Sequence, residues 1–419
     1  MTDLMLIWPE WIKPSAGLPT VQWSILLALA AATGHMLQRH LGLPKVLGYS
    51  AVGALAGFSG FTVAKWPLDG IDLFMVELGL SVVLFEAGGR LTLRWFRHNP
   101  MLLIQSLGES IATFAVVYWT LQAMDVSPAL LAPLAMLSVA ASPAVLMRVA
   151  TDIRAAGPVT DRSIALAALN TLYVLTLGGV MARYLGQAEF SLAGVVYPVV
   201  VLLGISAAMG AVLALALRSA LRVMSPTSEN TAVLLLALVA ACTTLAANFG
   251  GSAPLAALLA GMWLKALHVR PWSWPRQFGT ASAIVTILMF VLVSLVAAQA
   301  DWNTALFSLV AVLVLTRTLA KVAAIAMGSI GSGASLRQAV WTGCAMWPMS
   351  ATALLLVSQF AVFAPAIGTQ VAAIALPLIL LMELLGALMS TVALQRAGEA
   401  AEIMALRHAR QPREKTNDA

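Results

Sequence analysis

Along nearly the whole chain, apolar runs of about 17 to 25 residues follow one another between short polar connections, without the every-other-residue alternation of a barrel strand. A run of that length crosses a hydrocarbon core of roughly 30 Å as a helix. In lipid only helices and closed barrels satisfy their own backbones. The pattern therefore predicts an all-α polytopic membrane protein with thirteen transmembrane helices. The spans run from Thr20 to Met36, Leu43 to Phe58, Ile71 to Gly88, Met101 to Met124, Ala129 to Val149, Ser163 to Ala182, Ser191 to Leu217, Thr231 to Asn248, Leu255 to Leu267, Ala281 to Gln299, Thr304 to Met327, Ala339 to Val362 and Val371 to Leu394.

Charge placement orients these spans. Of the 24 Lys and Arg residues, those flanking every second connection, from Arg39 and Lys45 to the group Arg407, Arg410, Arg413 and Lys415, far outnumber Lys13, Lys65 and Arg183 on the other side. Short cytoplasmic loops hold the basic residues, so the N-terminus is expected outside and the C-terminus in the cytoplasm. The organisation predicted is an external segment 1–19, one transmembrane transporter domain 20–395 and a short cytoplasmic tail 396–419, a frayed helix end. The bacterial inner membrane is the expected location, with lipid as the surroundings.

Composition excludes other classes. The chain is 60% hydrophobic and 10% charged, with a mean hydropathy of +0.90, whereas soluble domains run near a quarter charged. The net charge of +6 is accounted for by the inner loops, so no nucleic-acid partner is implied. Cys242 and Cys344 both fall in apolar spans. No phosphate loop, metal-ligand spacing or cofactor motif is present, and neither a cofactor nor an enzyme is expected.

Two spans carry polar, small and proline residues in mid-membrane. The fifth reads Ser138-Val-Ala-Ala-Ser142-Pro143, and the twelfth Trp347-Pro348-Met-Ser350-Ala-Thr352. Proline removes a backbone donor and clashes with the preceding turn, so both spans are expected to unwind around Pro143 and Pro348. Irregular backbone at that depth survives only when buried or lining a wet cavity. The two spans are seven apart and hence opposite in direction, as inverted repeats require. Pairing spans 4, 5 and 6 with 11, 12 and 13 puts spans 6 and 11 beside the crossing. The sixth brings Asn170 and Thr171. The eleventh brings Arg317 and Lys321, spaced i, i+4 on one face; an intramembrane cation needs a partner or a cavity, or must snorkel to the interface. Of the intramembrane acids, Glu86 lies one turn from Arg90, while Glu109 and Glu383 have no partner evident in sequence.

Taken in order, Gly42-Leu-Pro44 with Gly48, Gly53 and Gly57, Glu77-Leu-Gly79 leading to Phe85-Glu86-Ala-Gly88, Ala141-Ser142-Pro143-Ala144, Ala168-Leu-Asn170 and Gly251-Ser252-Ala-Pro254 resemble the monovalent cation/proton antiporters of the sodium/hydrogen exchanger superfamily, with the Kef-type branch closest. The resemblance covers nearly the whole chain. It implies a homodimer in which a core of helices 4–6 and 11–13 rocks against a dimerisation domain, and an ion site where helices 5 and 12 cross. It also implies a carboxylate directly after the helix 6 asparagine; here that position is Thr171. A hydroxyl neither releases a proton at physiological pH nor neutralises a desolvated cation. Three readings stay open. Glu86 or Lys321 carries the proton in monovalent cation (Na⁺ or K⁺)/proton antiport, with Ser142, Asn170, Thr171 and Ser350 adding neutral oxygens. Alternatively, unneutralised Arg317 and Lys321 select an anion or acidic organic solute. In the third, the chain is a non-transporting relative.

Overall fold

The structure is a computed structural model that describes residues 18–60, 64–91, 99–185, 192–224, 228–267 and 276–401. The expectations for 1–17 and 402–419 lie outside the described residues. Helix occupies each of the thirteen apolar stretches, and no strand occurs among the described residues.

In chain order the helices are α1 (Leu18–Leu41), α2 (Lys45–Phe58), α3 (Gly70–Arg90), α4 (Pro100–Ala123), α5 (Pro128–Val139), α6 (Pro143–Asp152), α7 (Pro158–Tyr173), α8 (Gly179–Tyr184), α9 (Leu192–Val223), α10 (Glu229–Asn248), α11 (Ala253–Leu267), α12 (Arg276–Ala298), α13 (Thr304–Met327), α14 (Leu336–Ala345), α15 (Ala351–Phe363) and α16 (Pro365–Ala397). Proline at the first helical position starts α4, α5, α6, α7 and α16, where its missing N–H has no intrahelical partner to lose. Asn303 caps α13 by accepting from Leu306 N, and Ser335 with Gln338 forms a capping box at α14.

Among the described residues, eight stretches are long and apolar enough to cross a membrane, counting Pro128–Asp152 and Pro158–Tyr184 as one each. Burial separates them. Of the apolar window in Pro128–Asp152, 89% is buried within the protein, against 28% for Val196–Val223; the broken stretch is therefore central and α9 peripheral. α2 packs on α12, α3 on α11, and α4 along α13, while α16 crosses behind α14 and α15. Gly88 of α3 and Gly261 of α11 let the two backbones touch: a Cβ on Gly88 would run into the Leu258 carbonyl, and one on Gly261 into that of Phe85. Small residues at such contacts are the usual means of close helix approach in lipid.

The residues after α16 are not frayed as far as they are described. Glu399 reaches the start of α7, where its carboxylate accepts from Val159 N (2.8 Å), Thr160 N (2.8 Å) and the Thr160 hydroxyl (2.7 Å). Ala401 N donates to Ile153 O at 3.3 Å. The orphan N–H groups and positive dipole end of α7 bind this carboxylate, an attraction between segments 240 residues apart that local sequence does not announce.

Candidate functional site

The two predicted breaks are present and meet. α5 stops at Val139 and α6 starts at Pro143; Ser142 between them is extended because the ring of Pro143 disfavours helical geometry at the residue before it. α14 stops at Ala345, with Pro348 in the link, and α15 starts at Ala351. Ser142 N donates to Pro348 O at 2.9 Å, so the unwound segments cross in direct main-chain contact. The hydroxyl of Ser142 is used as a cap, accepting from Val145 N at 3.3 Å.

Unwinding leaves the last carbonyls of α5 and α14 without helical partners, and α13 supplies the donors. Arg317 Nε donates to Ser138 O (3.0 Å), Nη2 to Ala140 O (2.5 Å), and Nη1 to Trp347 O (2.8 Å) and Met382 Sδ (3.3 Å). One guanidinium therefore ties both broken stretches. It also answers their C-terminal dipoles, each worth roughly half a negative charge.

One turn further on, Lys321 Nζ donates to Val139 O at 3.0 Å and pairs with Glu109 Oε1 of α4 at 2.5 Å. Arg317, Lys321 and Glu109 are all fully buried, so neither cation snorkels.

From sequence Glu109 reads as an intramembrane acid with neither a partner nor a place in the site. Besides Lys321, its Oε1 accepts from Thr113 Oγ1 (3.0 Å) and its Oε2 from Asn170 Nδ2 (2.9 Å). Asn170 also donates to Val139 O at 3.2 Å and accepts from Ser110 Oγ at 3.2 Å. The available signal was that spans 4 and 11 are counterparts in the two predicted repeats; the structure packs them side by side and so faces an acid with a base.

Thr171 stands at the crossing. Its hydroxyl donates to Ala167 O at 2.9 Å and lies 3.3 Å from Thr352 Oγ1 and 3.5 Å from Ala141 O. A π-helical turn, Val174–Gly178, follows immediately; such turns are rare and concentrate at functional sites.

The structure thus brings together Ser142, Asn170, Thr171, Arg317 and Lys321 around Pro143 and Pro348. Glu86 stands apart: the side chain facing its carboxyl is Ser282 of α12, with Arg90 and Arg148 as its cationic neighbours. Ser350 lies at the crossing but faces another way, toward Glu383 of α16. Glu383 is fully buried and accepts from Ser50 Oγ of α2 at 2.8 Å.

The fold has counterparts in solved structures. The sodium proton antiporter MjNhaP1 of Methanocaldococcus jannaschii at pH 8 superposes with a TM-score of 0.64, at 14% identity, over 90% of this chain and 98% of that one. A three-dimensional electron-microscopy structure of the same antiporter superposes with a TM-score of 0.68, at 14% identity, over 94% and 98%. These likenesses concern the fold. No curated protein sequence matches the chain. The family model for the sodium/hydrogen exchanger transmembrane region matches residues 25–396. With that match over most of its length, the chain is an integral membrane protein of the sodium/hydrogen exchanger family.

Proposed function

We propose that this protein exchanges a monovalent cation, Na⁺ or K⁺, for protons by alternating access. The observation that carries the reading is the engagement of both α13 cations. Arg317 is taken up by helix C-terminal carbonyls and Lys321 by Glu109. Neither is left to recruit an anion, which argues against the organic-anion alternative. The crossing offers neutral oxygens from Thr171, Thr352 and main-chain carbonyls, the donor type suited to alkali cations. Family membership and the antiporter fold support the same activity.

In this reading α4–α8 and α13–α16 move as one body against the remaining helices. The site region comprises Ser142, Asn170, Thr171 and Ser350, with Arg317 and Lys321 holding the crossing together. The distribution of Lys and Arg supports a cytoplasmic C-terminus, in a bacterial inner membrane, and the family likeness supports a homodimer.

The test is proton flux in proteoliposomes with a pH dye inside, on adding Na⁺, K⁺ or Li⁺ outside. Wild type should alkalinise the lumen as cation enters and proton leaves. Absence of flux in wild type, with flux gained in Thr171→Asp, would show instead that the protein has left cation antiport.

A further inference from the structure

The missing helix 6 carboxylate raises the question of which acid exchanges with the cation, and Glu383 is ringed by serines. It sits in the middle of the 33-residue α16 and is 0% exposed. Serines reach it from three other elements: Ser50 on α2, Ser294 on α12, and Ser350 at the entrance to α15. All three are likewise 0% exposed. Only Ser50 completes a hydrogen bond, to Oε1. Glu383 Oε2 and the hydroxyl oxygens of Ser294 and Ser350 have no partner among the described residues.

Ser350 is the telling member. Serine before a helix normally accepts from the first turn, as Ser142 does at α6. Ser350 makes no such cap at α15, and its hydroxyl is turned to the carboxyl instead. Either a proton on Oε2, donated to the oxygen of Ser294 or Ser350, or a cation would satisfy the cluster; with neither, Oε2 and both serine oxygens stand without a partner among the described residues. Buried polar atoms are rarely left so.

We infer that Glu383 Oε2, Ser294 Oγ and Ser350 Oγ form a binding site for a small alkali cation, Na⁺ or Li⁺, which competes with a proton for the same carboxyl. The donor set is oxygen only, which suits a hard cation. With one carboxylate, a monovalent ion leaves the buried site neutral and a divalent one does not. Among the described residues, the hydroxyls of Ser50, Ser294 and Ser350 are the polar side chains that face Glu383. Of the cations described on elements packed against α16, Arg317 and Lys321 of α13 are engaged at the crossing, Arg148 of α6 is held by Tyr49 and Asp152, Lys45 of α2 is held by Asp152, Arg162 of α7 is held by Ser332, and Arg337 of α14 reaches Arg396 O. One proton out for one monovalent cation in makes the exchange electroneutral.

The inference rests on the antiport reading for its role in transport, and it gives that reading its moving part. Ser350 and Glu383 belong to the helices proposed to move, Ser50 and Ser294 to those proposed to stay. Sliding one body past the other divides the cluster and opens the carboxyl to solution.

The experiment uses the full chain in detergent at pH 8.5, with unfolding followed by tryptophan fluorescence in Na⁺, Li⁺ or choline for wild type, Glu383→Gln and Ser294→Ala. Na⁺ or Li⁺ should raise the wild-type Tm over choline, and the concentration needed should rise toward tenfold per unit of falling pH once proton competition dominates. Glu383→Gln, which keeps the bond to Ser50, should lose the effect, and Ser294→Ala should need roughly tenfold more cation. No cation effect in wild type, or the same half-maximal concentration in Glu383→Gln, overturns the site. If Glu383→Gln does not fold, an unchanged half-maximal concentration in Ser294→Ala overturns it. Proteoliposomes separate the two claims. Cation-coupled flux that persists in Glu383→Gln leaves antiport standing and removes this site, whereas Glu383-dependent binding without wild-type flux leaves the site and removes antiport.

Discussion

Replacing Lys321 with Met tests whether the pair at the crossing is ionic and structural. The substitution keeps the length of the side chain but removes the ammonium that donates to Glu109 at 2.5 Å and Val139 O at 3.0 Å. Asn170 and Thr113 still donate to the carboxylate, but they cannot neutralise it. Breaking a buried pair from one side costs about 3–5 kcal/mol, because the remaining charge has neither water nor a counterion. At roughly 2 °C per kcal/mol for a long chain, Tm should fall on the order of 5–10 °C. Glu109→Gln should cost a similar amount, by stranding Lys321. The double variant Glu109→Gln/Lys321→Met removes both charges and should regain most of the loss, since neutral replacements for a buried pair are often tolerated. Thermal unfolding of the four proteins in one detergent closes the cycle. If the double variant loses the sum of the two singles to within about 0.5 kcal/mol, the side chains are not coupled and the ionic account of the crossing is wrong.

Arg317→Ala removes three main-chain contacts that span both breaks; at about 1.5–3 kcal/mol per charged hydrogen bond it should abolish accumulation of folded protein, read by fluorescence-detected gel filtration, and Arg317→Lys should recover only part. Gly386→Val puts branched carbon where even a Cβ would approach Pro348 Cα to 2.5 Å, so α16 is pushed off the crossing and cation-coupled flux should be lost, whereas Gly108→Val, with nothing within 4 Å, should be neutral. Glu399→Ala leaves Val159 N and Thr160 N without their acceptor and should cost about 1–2 kcal/mol, seen as faster proteolysis after residue 398.

Much of the fold was legible because its strongest signals are local. Apolar run length set the helices, and Pro143 and Pro348 marked both breaks within a few residues, since proline acts on its immediate neighbours. The positions of Arg317 and Lys321 beside the crossing also followed from the repeat pairing. Their partners did not. Glu109 looked unpaired because its base lies 212 residues away, and Glu383 because its serines sit on three other elements. Glu86 drew attention through a motif in sequence, yet in space its facing side chain is Ser282. Side-chain direction on an apolar helix is decided by packing, and sequence periodicity is mute where nearly every position is apolar.

The Glu399 anchorage has a practical corollary. Its carboxylate fastens the backbone beyond α16 to the first turn of the helix that carries Asn170 and Thr171. Any load applied downstream, such as a fluorescent fusion, an affinity handle or an antibody fragment, pulls on a lever whose short arm ends at the ion-handling helix. Reporter proteins for flux assays are therefore better attached at the opposite end of the chain.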